Sequence, residues 1–325
     1  MAGPVRFGAL ALLTLSIVAG ASVAWAQAYP SRPIRAIVPF AAGSATDQIA
    51  RSFSARMTES LGQPIVVENR PGANGMIGAD AVAKALPDGY TILFGTNSTN
   101  AALKSLMKKL PYDQDTAFTP IGYMGSVPLI VAVNNDFPAK TLAELIALAK
   151  AKPGEVTFAT ASTSQRISSE MLAGMAGIRM THVPYKSSPN AITDLIGGQV
   201  NMFTADFAVM LPQVKAGKVR ALAVTSTKRA AVAPDLPTVN EAAGLKDYEL
   251  IAFFGAYGPA AMPRDIVQKL NDAINAAARS KEVLDRFSAL GMETAPGTPE
   301  AFAQRTALEA VKWAKAIRDS GIEPE

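Results

Sequence analysis

The chain has 325 residues, 49% of them apolar and 18% charged, which suits two ordinary domains with their own cores and excludes an extensively disordered chain. A net charge of +4, carried by scattered rather than clustered basic residues, excludes the basic face that nucleic-acid binding needs. With no cysteine and one histidine, the fold rests on its hydrophobic cores, and thiol catalysis and the usual zinc ligand sets are excluded.

The sequence opens with Arg6, an apolar run from Phe7 to Val18 and the small-residue stretch Ala24-Trp25-Ala26. That is the form of a secretory signal peptide over residues 1–26, with cleavage expected before Gln27 and a periplasmic destination. The strongly apolar part is shorter than the ~20 residues of a membrane-spanning helix, and a lipid anchor would need a cysteine at the cleavage site. From there, short apolar stretches alternate with helical periodicity. Strands are predicted at Ile34–Val38, Ile65–Glu68, Thr91–Gly95, Leu129–Asn134, Val156–Ala159, Met180–Val183, Met202–Ala205, Ala221–Thr225 and Ile251–Tyr257. This alternation signals βαβ units and a mainly parallel sheet. Helix starts are legible as well. Thr141 with Glu144, and Thr238 with Glu241, fit the capping box; Thr298 before Pro299 fits an N-cap followed by proline in the first turn. No linker divides the chain, so two domains would be joined by crossing strands, near Ser126 to Val131 and near Ser226 to Leu236. The expected division is residues 27–126 plus 228–325 for domain 1 and 127–227 for domain 2.

Residues able to carry chemistry are few. His182 lies inside the apolar run Met180 to Pro184; a catalytic triad needs a histidine beside its serine, so His182 reads as a strand-end residue held by packing and hydrogen bonds. No carboxylate pair stands out for acid–base work, and no glycine-rich phosphate loop is present. No catalytic residue, cofactor or metal site is expected.

Several loops do attract attention. Phe40 to Asp47 connects the first strand to a helix through small residues, so its amides and the helix N-terminus form a cradle for an anion. The same segment also reads as an ordinary βα turn with Asp47 in the first helical turn. A second strand-to-helix junction, Ala159 to Arg166, offers the hydroxyls of Ser162, Thr163 and Ser164 and a charge at Arg166; its plainer reading is an N-cap cluster with Arg166 in solvent. Thr96 to Asn100 forms a third polar loop. Asp206 ends the apolar run Met202 to Ala205, placed either to face a cleft or to cap the next helix.

In order, these segments resemble the Bug family, the periplasmic solute receptors of tripartite tricarboxylate transporters. The resemblance rests on Tyr29 to Pro33, Val38-Pro39-Phe40 with Gly43 and Thr46-Asp47, Val67 to Ala73 with Gly75 and Gly78, and Pro87 to Tyr90. It continues through His182 to Lys186, Gly217 to Val224 and Pro234 to Thr238. It implies an α/β, type II-like periplasmic binding protein, each domain a mainly parallel sheet flanked by helices, closing like a flytrap on a small carboxylate held by backbone amides and ordered waters. The implied contacts are Phe40, Ala42, Gly43, Ser44, Asp47 and Ser98 from the first domain and Ser162, Ser164, Gln165 and Asp206 from the second. The implied partners are the carboxylate and the membrane subunits of a tripartite tricarboxylate-type transporter, with the receptor a monomer. Family members often carry Gly-Gly where this chain has Gly43-Ser44, and glycines and a histidine near Ser164-Gln165-Arg166. Arg166 turned inward would favour a dicarboxylate, such as a C4 to C6 acid or an aromatic diacid. A sensor receptor using the same cleft, or an enzyme acting on carboxylic acids, is the alternative.

Overall fold

The computed structural model describes residue 3 and residues 29–324, so the signal peptide and its cleavage point lie outside the described residues. β1 (Ile34–Val38) lies between β2 (Ile65–Asn69) and β3 (Thr91–Thr96), both parallel to it. That central position explains the burial of Ile34, Ala36, Ile37 and Val38. α1 (Ala45–Leu61) and α2 (Met76–Ala83) make the crossovers. Ser44 starts α1 by accepting the Asp47 N–H, and Gly62, at φ 69°, ends it in the left-handed conformation that glycine adopts most readily. After β3 a single π-type turn, Ser98–Ala102, leads into α3 (Leu103–Leu106).

The second group of strands begins inside β4 (Phe118–Asn134). It continues through α4 (Leu142–Ala151), β5 (Thr157–Thr160), α5 (Thr163–Ala176), β6 (Thr181–Pro184), α6 (Ser188–Ile196), β7 (Met202–Asp206), α7 (Phe207–Lys215) and β8 (Val219–Val224). At Thr141 only half of the expected box forms: its hydroxyl accepts the Glu144 N–H, while Glu144 accepts from Lys140 instead. The box at Thr238 is complete and opens α8 (Val239–Ala243). β9 (Ile251–Pro259) then returns to the first group, followed by α9 (Arg264–Arg279), α10 (Lys281–Ala289) and α11 (Pro299–Asp319), the last capped by Thr298.

The strands run in the order β2-β1-β3-β9-β4-β7-β5-β6, with β8 also on β4. The parallel units sit on the flanks, β1 with β2 and β3, and β5 with β6 and β7. The middle is antiparallel, because β4 and β9 pass between the two groups and pair with each other and with β3, β7 and β8. β4 changes partners at Pro128 and Leu129: its residues up to Pro128 pair with β9, and those from Leu129 pair with β7. Proline has no N–H for a ladder, so the handover falls where the ladder is already interrupted. Thr225 ties the crossing together, its hydroxyl accepting the Leu129 N–H at 2.7 Å and donating to the Leu250 carbonyl at 2.6 Å. The main core runs from Ile37, Phe53 and Phe94 to Phe203 and Phe207, and a smaller one gathers Val131, Phe158, Leu172 and Tyr248. Among the described residues no helix is long and apolar enough to cross a membrane.

Candidate ligand-binding cleft

The carboxyl ends of β1, β3, β5, β6 and β7 open onto one cleft, floored by Ala252 and Phe254 of β9. In open α/β sheets this is where ligands bind, because strand ends there give way to helix N-termini. Among the described residues five helical segments start at its walls: α1 at Ser44, the π-type turn at Asn97, α5 at Ser162, α6 at Ser187 and α7 at Asp206. The leading N–H groups of a helix have no partner inside it. Ala45 and Thr46, at the head of α1, line the cleft, as does Ser164 at the head of α5. The two loops singled out in the sequence therefore face each other. The Ser164 N–H reaches Ser98 Oγ at 3.4 Å, and Ser162 and Ser164 share a hydroxyl contact of 3.1 Å. Summed partial positive charge from these termini favours an anion.

Of the residues expected at the site, Phe40, Ser44, Ser98, Ser162, Ser164, Gln165 and Asp206 line the cleft. Ala42, Gly43, Asp47 and Arg166 do not. Ala42 and Gly43 lie on the exposed outside of the loop, and the Gly43 N–H is taken by Asp47 Oδ2 at 3.0 Å. Asp47 is buried but turned to the back of the loop, where it also accepts from Asn69 Nδ2 at 2.9 Å and pairs with Arg51 at 2.9 Å. Asn69 in turn donates to the Phe40 carbonyl at 3.0 Å. Burial pushes the Asp47 carboxyl up, but the hydrogen bonds from Arg51, Gly43 and Asn69 outweigh it and hold it below the usual range. Arg166 stands close enough to Glu170 to pull that carboxyl down against the stronger upward push of burial. Arg166 thus lies beside Glu170 and off the cleft wall in this structure.

Thr46, Thr96 and Asn97 belong to loops that the sequence singled out without naming them as contacts, whereas Lys186, Ser187 and Ser188 were not read as site residues; all six line the cleft. Asn97 Oδ1 accepts the Phe253 N–H at 3.1 Å, fixing the turn to β9. Lys186 was visible as a cation three residues past a predicted strand, and Ser187 after it caps α6. Lys186 and Asp206 are the charged residues among the described lining. His182 sits on β6 away from the lining, bonded to Thr160 Oγ1 at 2.6 Å and stacked on Phe158.

Residues 49–322 match the family described as tripartite tricarboxylate transporter family receptor. The chain belongs to this family. Solved structures agree with that assignment. The receptor resembles R. palustris Rpa4515 with adipate at 33% identity and a TM-score of 0.88, over 91% of this chain and 100% of that one. It resembles the periplasmic binding protein BugD at 35% and 0.87, over 91% and 100%. It resembles MatC (Rpa3494) from Rhodopseudomonas palustris with bound malate at 32% and 0.85, over 89% and 100%. The receptor is thus a two-domain α/β solute-binding fold of the kind its family uses for capture.

In this receptor the Asp47 cluster acts as a clamp behind the first loop. An Asp47→Ala protein is expected to lose about 2–3 kcal/mol of stability, the cost of removing charge-assisted bonds to a buried carboxylate. It should also bind ligand more weakly although no ligand contact is deleted. The stability that Asp47 supplies is present above the ordinary carboxylate range and fades as the pH falls through its depressed value. Thermal unfolding with a parallel ligand titration checks this, and unchanged affinity in a destabilised variant would refute the clamp.

Proposed function

We propose that this chain is a periplasmic receptor that captures a small carboxylate and passes it on unchanged. One lobe is formed by residues 27–126 with 228–325 and the other by 127–227; the receptor works as a monomer and delivers its solute to membrane subunits of the tripartite tricarboxylate type. The observation that carries the reading is the convergence of helical N-termini from both strand groups, α1 on one side and α5 and α6 on the other, on a single cleft with Lys186 at its wall. Such a site holds an anion by oriented main-chain and hydroxyl donors, and a ligand touching both walls favours the closed arrangement because only there are both sets of contacts made. The adipate and malate held by relatives at 33% and 32% identity support a dicarboxylate as the solute. The family is one of receptors, which fits a solute passed on unchanged.

Thermal-shift screening against mono-, di- and tricarboxylates tests the reading, since a ligand bound only by the folded state stabilises it by about 2.7 kcal/mol at a hundred times its Kd. At least one acid is expected to raise the melting temperature, and Ser164→Ala is expected to remove most of that rise. A flat response to the whole panel, or equal responses to uncharged analogues, would contradict it.

A further inference from the structure

Asp206 is out of place for an ordinary helix cap. It ends β7 and occupies the N-cap position of α7, yet its side chain makes no capping bond to the helix. An aspartate in that position usually turns back onto the helix amides; this one is 7% exposed and lines the anion cleft. Its donors are its own main-chain N–H and the Gln165 amide. Gln165 cannot rotate away, because its Oε1 accepts the Ala161 N–H at 2.7 Å and its Nε2 donates to Ser188 Oγ at 3.0 Å. A buried carboxyl is thereby aimed at the space where a carboxylate ligand would lie.

The charged groups around Asp206 do not neutralise it. Of α1, Asp47 is engaged with Gly43, Asn69 and Arg51 behind the loop. Of α5, Arg166 interacts with Glu170 and lies off the cleft. On the β4 side Asp206 faces Leu129 in the ladder. Lys186, between β6 and α6, shares the cleft lining, yet it is burial that dominates at the Asp206 carboxyl and pushes it up to about 6. On its own α7 the basic residue is Lys215, at the far end.

We propose that Asp206 is a proton-bearing specificity residue: when a dicarboxylate fills the cleft, Asp206 is protonated and donates a hydrogen bond to one ligand carboxylate, so binding takes up about one proton. This rests on the carboxylate reading above and names the ligand class within it, plain diacids over acids carrying an amino or hydroxyl donor. Two carboxylates in contact in a water-poor cleft do not both stay ionised. Protonating Asp206 at neutral pH costs only about a tenfold factor when its carboxyl titrates near 6, whereas a second contacting carboxylate shifts such equilibria by several powers of ten when buried. No covalent step is involved; the proton comes from solvent and returns to it on release.

Calorimetric titration of the full-length mature receptor with the diacid series succinate to adipate, in buffers of differing ionisation enthalpy, measures the proton directly. At about pH 7.5 close to one proton is expected to be taken up per diacid bound, and affinity is expected to fall about tenfold per pH unit above the free-state value. Asp206→Asn should bind the same diacids with no proton uptake and with affinity that no longer changes from about pH 7 to about pH 8.5. Because the wild-type measurement stands alone, misfolding of the variant would not rescue or sink the claim. Diacid binding without proton exchange, or binding confined to amino- or hydroxy-acids, overturns it and leaves the carboxylate receptor intact. No binding of any carboxylate overturns both.

Discussion

Replacing Asp206 by asparagine is expected to make the unliganded receptor more stable at neutral and alkaline pH while changing little in acid. The sign follows from the direction in which the carboxyl is displaced: burial raises it from 3.8 to about 6, against the pull of its own N–H and of Gln165. A group held higher in the folded than in the unfolded chain gives stability that is fully present below the unfolded value and is lost as the pH rises through the folded one. Between those two values the folded state holds the proton that the unfolded state has released, so stability declines with rising pH and the full cost is reached above about 7. The gap corresponds to roughly 3 kcal/mol, which sets the upper limit of the gain from asparagine. Melting curves of the two proteins at about pH 4 and about pH 8 check it: the curves should separate by several degrees at the higher pH and converge at the lower. A variant less stable than the parent at both would mean that the Gln165 bond to the charged form outweighs its desolvation. The result would also separate the residue's two roles, because a side chain kept at a cost to the empty receptor is one retained for the filled one.

Much of this arrangement was open to reading in the residues, and the failures have physical causes. All nine predicted strands exist, since runs such as Ile34 to Val38 and Met202 to Ala205 are apolar, short and bounded by turn residues. β4 begins at Phe118, well before the predicted Leu129, because Pro120, Gly122, Gly125 and Pro128 read as breakers. The β4–β9 ladder accommodates the glycines through register shifts beside Gly122 and Gly125, a tertiary solution that local patterning does not reveal. The antiparallel centre was hidden for a similar reason: direction belongs to the pairing, and β9 is far in sequence from both its partners. At the site, the loops that the sequence singled out do line the cleft, but the faces of individual residues could not be read. Ser44 and Asp47 are three positions apart, yet Ser44 meets the cleft and Asp47 backs the loop, a distinction set by where Asn69 and Arg51 arrive. Lys186 went unassigned because one lysine after a strand is indistinguishable from a solvated one until α6 and α5 bring it to a shared wall.

Gly255→Ala is expected to cost about 3 kcal/mol or more, despite adding a single methyl group to a residue in ordinary extended backbone. A Cβ built there falls 2.0 Å from Phe302 Cζ and 2.7 Å from Cε1, far inside any tolerable contact. Relief would require Phe302 to move, and that ring is 2% exposed and packed against Tyr123, Phe253 and Tyr257 at centroid distances of 6.0, 6.3 and 4.9 Å. Overpacked cores pay such clashes in strained rotamers and backbone shifts. Gly174→Ala, inside α5 with nothing within 4 Å of the added carbon, is the matched control and should be neutral or stabilising by about 0.5–1 kcal/mol. The contrast in urea or thermal unfolding tests more than packing. Gly255 pairs with Tyr123 of β4 and Gly95 of β3, while Ala252 and Phe254 beside it form the cleft floor. Phe302, in the first turn of α11, therefore seats the last helix on the strand that floors the cleft, and α11 goes on to pack against the Ser98 turn and α5. If Gly255→Ala were as stable as the control, Phe302 would have an alternative seat, and α11 would not be the element that fixes the floor relative to both walls.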